Sequence, residues 1–283
     1  MSEEDCISAL YPTEDGRTFE ARVYLPAASG TRAAERHPVI VAVHGGGWQR
    51  ANLAYYRHWG PWLSARGYAV VAITHRLTAN GESAFPGAVH DVRSAIDFVR
   101  LRAQAWRIDS DRIALMGDSS GAHLCCLAAL ADSRFPAARW AQRQEWKPLA
   151  VKAVIAVYGV YDLAQQWRHD QIARPRDHIT EKLLGVGLPD DRFAYFQGSP
   201  LAYVSAANSG TAFLLAWGDA DDVVDCDQQS VVFQEALKQS GHFVRSAAVP
   251  GAAHFWIGDP LDEPGSASGW LAPRLLRFLA ARL

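Results

Sequence analysis

The chain is poor in cysteine and methionine, has no long apolar run, and carries no excess of either charge. Its four cysteines, Cys6, Cys125, Cys126 and Cys226, show neither metal-ligand spacing nor the density of a disulfide framework. Cys125 and Cys126 are neighbours in an Ala/Leu-rich run and read as small buried hydrophobes. The longest apolar stretches, residues 39–43 and 153–160, fall far short of the roughly 20 residues that span a bilayer. The opening Met1-Ser2-Glu3-Glu4-Asp5 is acidic and lacks the apolar core of a secretory signal. A cytoplasmic protein with no membrane partner is therefore expected. Lys plus Arg is 28 against 30 for Asp plus Glu, a net charge of −2. Phosphate binding favours a clear basic excess, so a nucleic-acid partner is not expected.

What is present is an ordinary globular composition, 49% hydrophobic and 20% charged over 283 residues, which excludes intrinsic disorder. One surplus stands out. Ten tryptophans accompany 11 Phe and 9 Tyr. Short β-branched runs alternate with longer helical ones. Strands are expected over 19–25, 39–43, 68–74, 113–116, 151–158, 212–217 and 243–249. Helices are expected over 53–66, 86–106, 120–131, 228–239 and 273–283. Gly67 stops the first of them, and the second carries Val89, Val92, Ile96 and Val99 on one face. This order implies an α/β fold with a mostly parallel central sheet covered on both faces. Residues 161–209 break the rhythm with mixed helical signals and several Pro and Gly positions. Strand–helix units resume afterwards, so residues 1–283 read as one domain with a cap-like insertion at 161–209.

Two motifs carry chemistry. Gly117-Asp118-Ser119-Ser120-Gly121 matches G-x-S-x-G, with a strand running into it and an Ala/Leu helix running out. That context is a nucleophile elbow, which holds a Ser hydroxyl above a sheet. A plain Gly/Ser turn is the bland reading of the pattern by itself. His44-Gly45-Gly46-Gly47-Trp48 follows the strand at 39–43. Bare glycine N–H groups there suit a negative oxygen formed in acyl transfer, and the N–H of Ser120 would be a further donor. A phosphate cradle fails on detail, because neither G-x-G-x-x-G nor Gly-Lys-Ser/Thr is present.

An acid and then a base are expected after the nucleophile, each beyond the carboxyl end of a strand. His254 meets this rule after the strand at 243–249. His242 precedes that strand, and His123 lies inside the helix after the elbow. Asp221 is the preferred acid after the strand at 212–217, with Asp222 and Asp219 behind it on pattern alone.

Together these motifs resemble the bacterial esterases of the α/β-hydrolase fold, near the hormone-sensitive-lipase-like and feruloyl/acetyl-xylan esterase groups. The likeness also takes in Arg76-Leu77, Phe85-Pro86, Asp91, residues 108–113, residues 218–224 and Gly251 to His254. It implies Asp221 as the acid and Gly46 and Gly47 as oxyanion donors. Ser120, Ala122 and His75 depart from that group, where Ala, Gly and Tyr are usual. The short leader before His44 implies no large N-terminal helical cap.

The expectation is a serine carboxylesterase acting on short-chain or aryl esters through an acyl-enzyme. Ser119, Asp221 and His254 are its triad, and Gly46, Gly47 and Ser120 its oxyanion hole. An arylformamidase with the same triad is the alternative, and Trp48 is compatible with it. A non-catalytic binding protein on a hydrolase scaffold is a third reading, but no triad member is missing. No cofactor or metal is implied, and the partner is a small-molecule ester. A homodimer is the assembly left open. Trp48, Trp256 and Trp167 are candidate pocket walls, set against ordinary core packing. Arg174 and Arg176 are set between an acidic-substrate contact and a solvated surface run.

Overall fold

The computed structural model describes residues 6–27, 36–79, 81–137 and 149–283. Eight strands form one sheet: β1 (Ile7–Pro12), β2 (Thr18–Tyr24), β3 (His37–Val43), β4 (Ala69–Ile73), β5 (Ile108–Asp118), β6 (Ala153–Val157), β7 (Ala212–Gly218) and β8 (Val244–Val249). Their spatial order is β1-β2-β4-β3-β5-β6-β7-β8. β2 pairs antiparallel with both β1 and β4, and every later pairing is parallel. The helices are α1 (Trp59–Ser64), α2 (Gly87–Arg102), α3 (Ser120–Leu130), α4 (Leu163–Ala173), α5 (Ile179–Leu184), α6 (Arg192–Gly198), α7 (Val232–Gln239) and α8 (Ala267–Arg282). None of the described helices is long and apolar enough to cross a membrane.

Alternation along the buried strands builds two cores, one on each face of the sheet. Val39, Val41 and Val43 join one cluster, with Val89, Val92, Ile96 and Val99 of α2 and with Leu124 and Leu127 of α3. Ile40 and Ala42 join the other, with Trp59 and Leu63 of α1 and with Leu271, Leu275 and Leu279 of α8. Successive side chains on a strand point to opposite faces, so a strand that is apolar throughout needs cover on both sides. Every residue of α3 is buried, which places that helix fully inside the fold.

Several elements differ from the sequence expectations. β1 was not expected. Its Ile7 and Leu10 are exposed while Tyr11 is buried, so its apolar residues do not alternate with burial. The expected helix over 53–66 divides into a short 3-10 turn, Leu53–Tyr56, and α1. Pro61 explains the break, because it has no N–H for the preceding turn and its ring crowds the carbonyl four residues back. α8 starts before the expected Pro273. Ser266 caps it by accepting from Gly269 N at 3.0 Å, and burial of Leu271, Leu275 and Leu279 outweighs the interior proline. β5 extends on both sides of the expected 113–116, because its pairing with β3 continues past a register shift to Ile108.

Candidate active site

The geometry starts from the turn between β5 and α3. Ser119 has φ 50° and ψ −120°, a backbone that L-residues adopt only when their surroundings impose it. Its N–H donates to Val157 O at 2.8 Å, which fixes the turn to β6. Gly121 must lack a side chain, because a Cβ there would lie 2.1 Å from the Val43 carbonyl oxygen. That close approach brings the start of α3 against the end of β3, where the glycine loop begins.

Beyond β8 the chain turns back and brings His254 over Ser119. His254 Nε2 lies 3.0 Å from Ser119 Oγ, and His254 Nδ1 lies 2.6 Å from Asp221 Oδ2. A carboxylate only accepts, so Nδ1 carries the proton and Nε2 presents its lone pair to the serine hydroxyl. Asp221 is held in turn, because its Oδ1 accepts from the Val223 and Val224 N–H groups, each at 2.9 Å. The side chains of His254 and Asp221 are each 1% exposed, so water competes little for these bonds. The two rival acids do not contact His254. Asp219 accepts from Gly251 N at 2.6 Å and ties the acid loop to the histidine loop. Asp222 offers its backbone carbonyl to His169 Nε2 at 3.0 Å.

The glycine loop is anchored through Asp118, the residue before Ser119. Gly45 N–H donates to Asp118 Oδ1 at 2.9 Å, and Tyr56 Oη lies 3.0 Å from the same oxygen. Burial pushes the Asp118 carboxyl up to about 7, against the opposing pull of those two donors. Beyond Gly45 the loop turns at Gly46 with φ 120°, and a Cβ there would lie 2.4 Å from Arg50 O. Among the described residues, no hydrogen-bond partner takes the N–H of Gly46 or Gly47. Ser120 opens α3, so its N–H belongs to the first turn, where the helix has no internal acceptor.

The aromatic candidates separate. Trp48 is buried in the core, with its indole N–H donating to His123 Nδ1 at 3.2 Å. Trp256 is also buried and packs edge-on against Tyr158 at 5.1 Å. Tyr158 in turn lies 4.3 Å from the His254 ring, so Trp256 backs the ring that supports His254. Trp217, next to the acid loop, is core as well. Trp167 is half-buried on α4 and donates to Glu181 Oε1 at 2.7 Å. Glu181 and its neighbours His178 and Lys182 line a cleft of about 530 Å³, together with Gln49 and Thr78 beside the glycine loop.

Arg174 is neither a solvated surface residue nor a free partner for an acid. It donates to Asp170 Oδ1 and to Val223 O at 2.7 Å. Gln166 Nε2 donates to the same Val223 carbonyl at 3.1 Å. α4 and its C-cap therefore hold the loop that carries Asp221 through Gln166, His169 and Arg174. Arg176 is exposed. Sequence reasoning also missed Phe255, whose φ is 67° and whose ring is 62% exposed. That ring stands edge-on to His254 at 4.4 Å, on the solvent side. A large apolar residue directly after the candidate base was the available signal.

The BD-FAE family model matches residues 22–237, more than half of the chain. The chain belongs to the BD-FAE family. Among its relatives is the ethyl acetate hydrolase of Pseudomonas putida, 30% identical over 268 residues, covering 89% of this chain and 76% of that protein. The esterase LipQ of Mycobacterium tuberculosis is 30% identical over 227 residues, covering 77% of this chain but only 50% of LipQ. The native Est2 esterase of Thermogutta terrifontis has the same fold, with a TM-score of 0.74 at 23% identity over 99% of this chain and 93% of that one. This BD-FAE protein is thus an α/β-hydrolase of the esterase group, and its activity class is carboxylic ester hydrolysis.

Proposed function

We propose that the protein is a serine carboxylesterase that cleaves short-chain or aryl esters through an acyl-enzyme. The observation that carries this is the continuous relay from Ser119 Oγ to His254 Nε2, and from His254 Nδ1 to Asp221, at 3.0 and 2.6 Å. Ser119 attacks the ester carbonyl as His254 accepts its proton. The former carbonyl oxygen becomes negative and is held by the N–H groups of Gly46, Gly47 and Ser120. His254 passes its proton to the leaving alcohol as the carbon–oxygen bond breaks. Water then enters by the same route, releases the acid and restores Ser119. Asp221 keeps the imidazole in the required tautomer and steadies its transient charge. The helices of residues 161–209 act as a cap within a single catalytic domain over 1–283, and the cleft beside Gln49 and Thr78 forms part of the route to Ser119.

The test is turnover of p-nitrophenyl acetate and butyrate by the wild type and by Ser119→Ala, with a fluorophosphonate to label the nucleophile. Wild-type turnover, a loss on the order of 10⁶ in kcat for the variant, and labelling confined to Ser119 are expected. Turnover that survived Ser119→Ala would overturn the assignment. A preference of several decades for an N-formyl aniline over p-nitrophenyl acetate would replace the ester with a formamide as the substrate.

A further inference from the structure

The helix that follows the nucleophile carries a histidine that the hydrolytic steps leave unused. His123 is one turn beyond Ser119 and fully buried. Its two ring nitrogens face different parts of the molecule. Nδ1 lies 3.2 Å from Trp48 Nε1, and Nε2 lies 2.7 Å from the Gly198 carbonyl oxygen. An indole N–H only donates and a carbonyl only accepts, so both bonds are made by one form of the ring. That form is the neutral imidazole with its proton on Nε2. A charged ring would set a second N–H against that of Trp48. Burial favours the neutral ring, holding its pKa down at about 4.

The three partners belong to three segments. Trp48 closes the glycine loop and has a left-handed backbone, φ 58°. His123 lies on α3 with Ser119 at its start. Gly198 ends α6, and a Cβ there would lie 2.6 Å from Leu163 Cδ1 at the start of α4. Gly46 and Gly47 both have positive φ, and glycine backbone is soft, so their N–H groups need fixed points on either side. Upstream, Gly45 is tied to Asp118. Downstream, Trp48 is tied to His123. Both fixed points sit on the β5–α3 unit that carries Ser119.

We propose that His123 is a positioning residue for the oxyanion donors, locking Trp48, and through it Gly46 and Gly47, to the frame of the nucleophile while tying that frame to α6 through Gly198. The proposal rests on the serine esterase reading above. A misplacement of about 1 Å at such donors costs on the order of 10² in rate, and the effect falls on kcat because the donors act on charge formed in the transition state.

Three replacements separate the two bonds. His123→Asn keeps a carbonyl oxygen near Nδ1 for Trp48. His123→Gln keeps a donor near Nε2 for Gly198, and His123→Phe keeps neither. Trp48→Phe breaks the first bond from its other end. With p-nitrophenyl acetate, kcat is expected to fall on the order of 10²-fold in His123→Gln, His123→Phe and Trp48→Phe, with KM little changed. His123→Asn is expected to recover most of that loss. The double variant His123→Gln/Trp48→Phe should lose no more than either single one, because both remove the same bond. Full kcat in the variants that fold, with only a lowered Tm, would overturn the proposal, as would losses that multiply in the double variant. Should wild type be inert towards esters, the reading of the site fails first. The rate of Ser119 phosphonylation, which also loads charge on the oxygen at these donors, then decides the ranking of the variants.

Discussion

Replacing Asp118 with Asn should change how stability depends on pH, by an amount that follows from its burial. The folded carboxyl has its pKa raised to about 7, because burial penalises the charged form more than Gly45 and Tyr56 favour it. In the unfolded chain the same group titrates near the ordinary value of about 4. Between those two values the folded state holds a proton that the unfolded state releases. Stability from this group is therefore fully present below about pH 4 and is lost as pH rises towards 7. Each unit of separation is worth about 1.4 kcal/mol, so the wild type loses about 3 kcal/mol from this source between pH 5 and pH 8. Asp118→Asn has no such loss, and its amide oxygen still accepts from Gly45 N–H. The assay is urea unfolding of both proteins at pH 5 and pH 8. Whatever the variant's absolute stability, the gap should shift in its favour by about 3 kcal/mol between the two conditions. Other titrating groups are common to both chains and cancel. A gap that stayed constant across this range would refute the reasoning. It would mean that Asp118 remains charged in the folded protein at both pH values.

Other outcomes follow from the same geometry. Asp221→Asn should lower kcat by about 10⁴, the size expected when the orienting carboxylate is neutralised, whereas Asp219→Asn, whose amide oxygen still accepts from Gly251 N–H, should cost far less; equal losses measured on p-nitrophenyl acetate would refute the assignment. Gly46→Ala places a methyl against Arg50 O and should reduce kcat on the order of 10² or more, the scale of losing one oxyanion donor, with KM for the ester as the control. Phe255→Ala should raise KM for aryl esters more than for ethyl esters, because the exposed ring beside His254 is an apolar wall on the solvent side; a uniform change across a substrate panel would remove that role. Leu275→Ala should destabilise by about 2–5 kcal/mol in urea without changing kcat, since the side chain is fully buried against the opposite face of the sheet.

Much of the architecture was legible because a parallel sheet needs strands that are apolar on both faces. Val39 to Val43 and Ala153 to Val157 announce themselves that way, and the glycine loop follows the first of them. That Ser119 and His254 come together could be anticipated because position relative to a strand end is a property of the sequence. The choice among Asp219, Asp221 and Asp222 could not be made from pattern, because it depends on which carboxylate the loop turns inward. β1 was hidden because its apolar residues do not alternate with burial, with Leu10 turned to solvent at an edge of the sheet. The tryptophans show the same limit. Adjacency in the chain does not fix direction, and Phe255 points out where Trp256 points in. Asp118 and His123 were hidden for another reason. Their partners, Gly45 and Trp48 on one side and Gly198 on the other, are more than 70 residues away along the chain.

The grip of α4 on the acid loop has a consequence for how such proteins can diverge. Val223 O receives two side-chain donors, from α4 and its C-cap Arg174, and Asp222 O receives a third from α4. A cap that only covered a site could be exchanged for another of any shape. The helical insertion of residues 161–209 supplies hydrogen-bond donors to the loop that carries Asp221, so a graft from a relative inherits an obligation along with its shape. Gln166, His169 and Arg174 must travel with it, or be replaced by equivalents that satisfy the same two carbonyls. The inner face of α4 is closed to variation by the bonds it already makes.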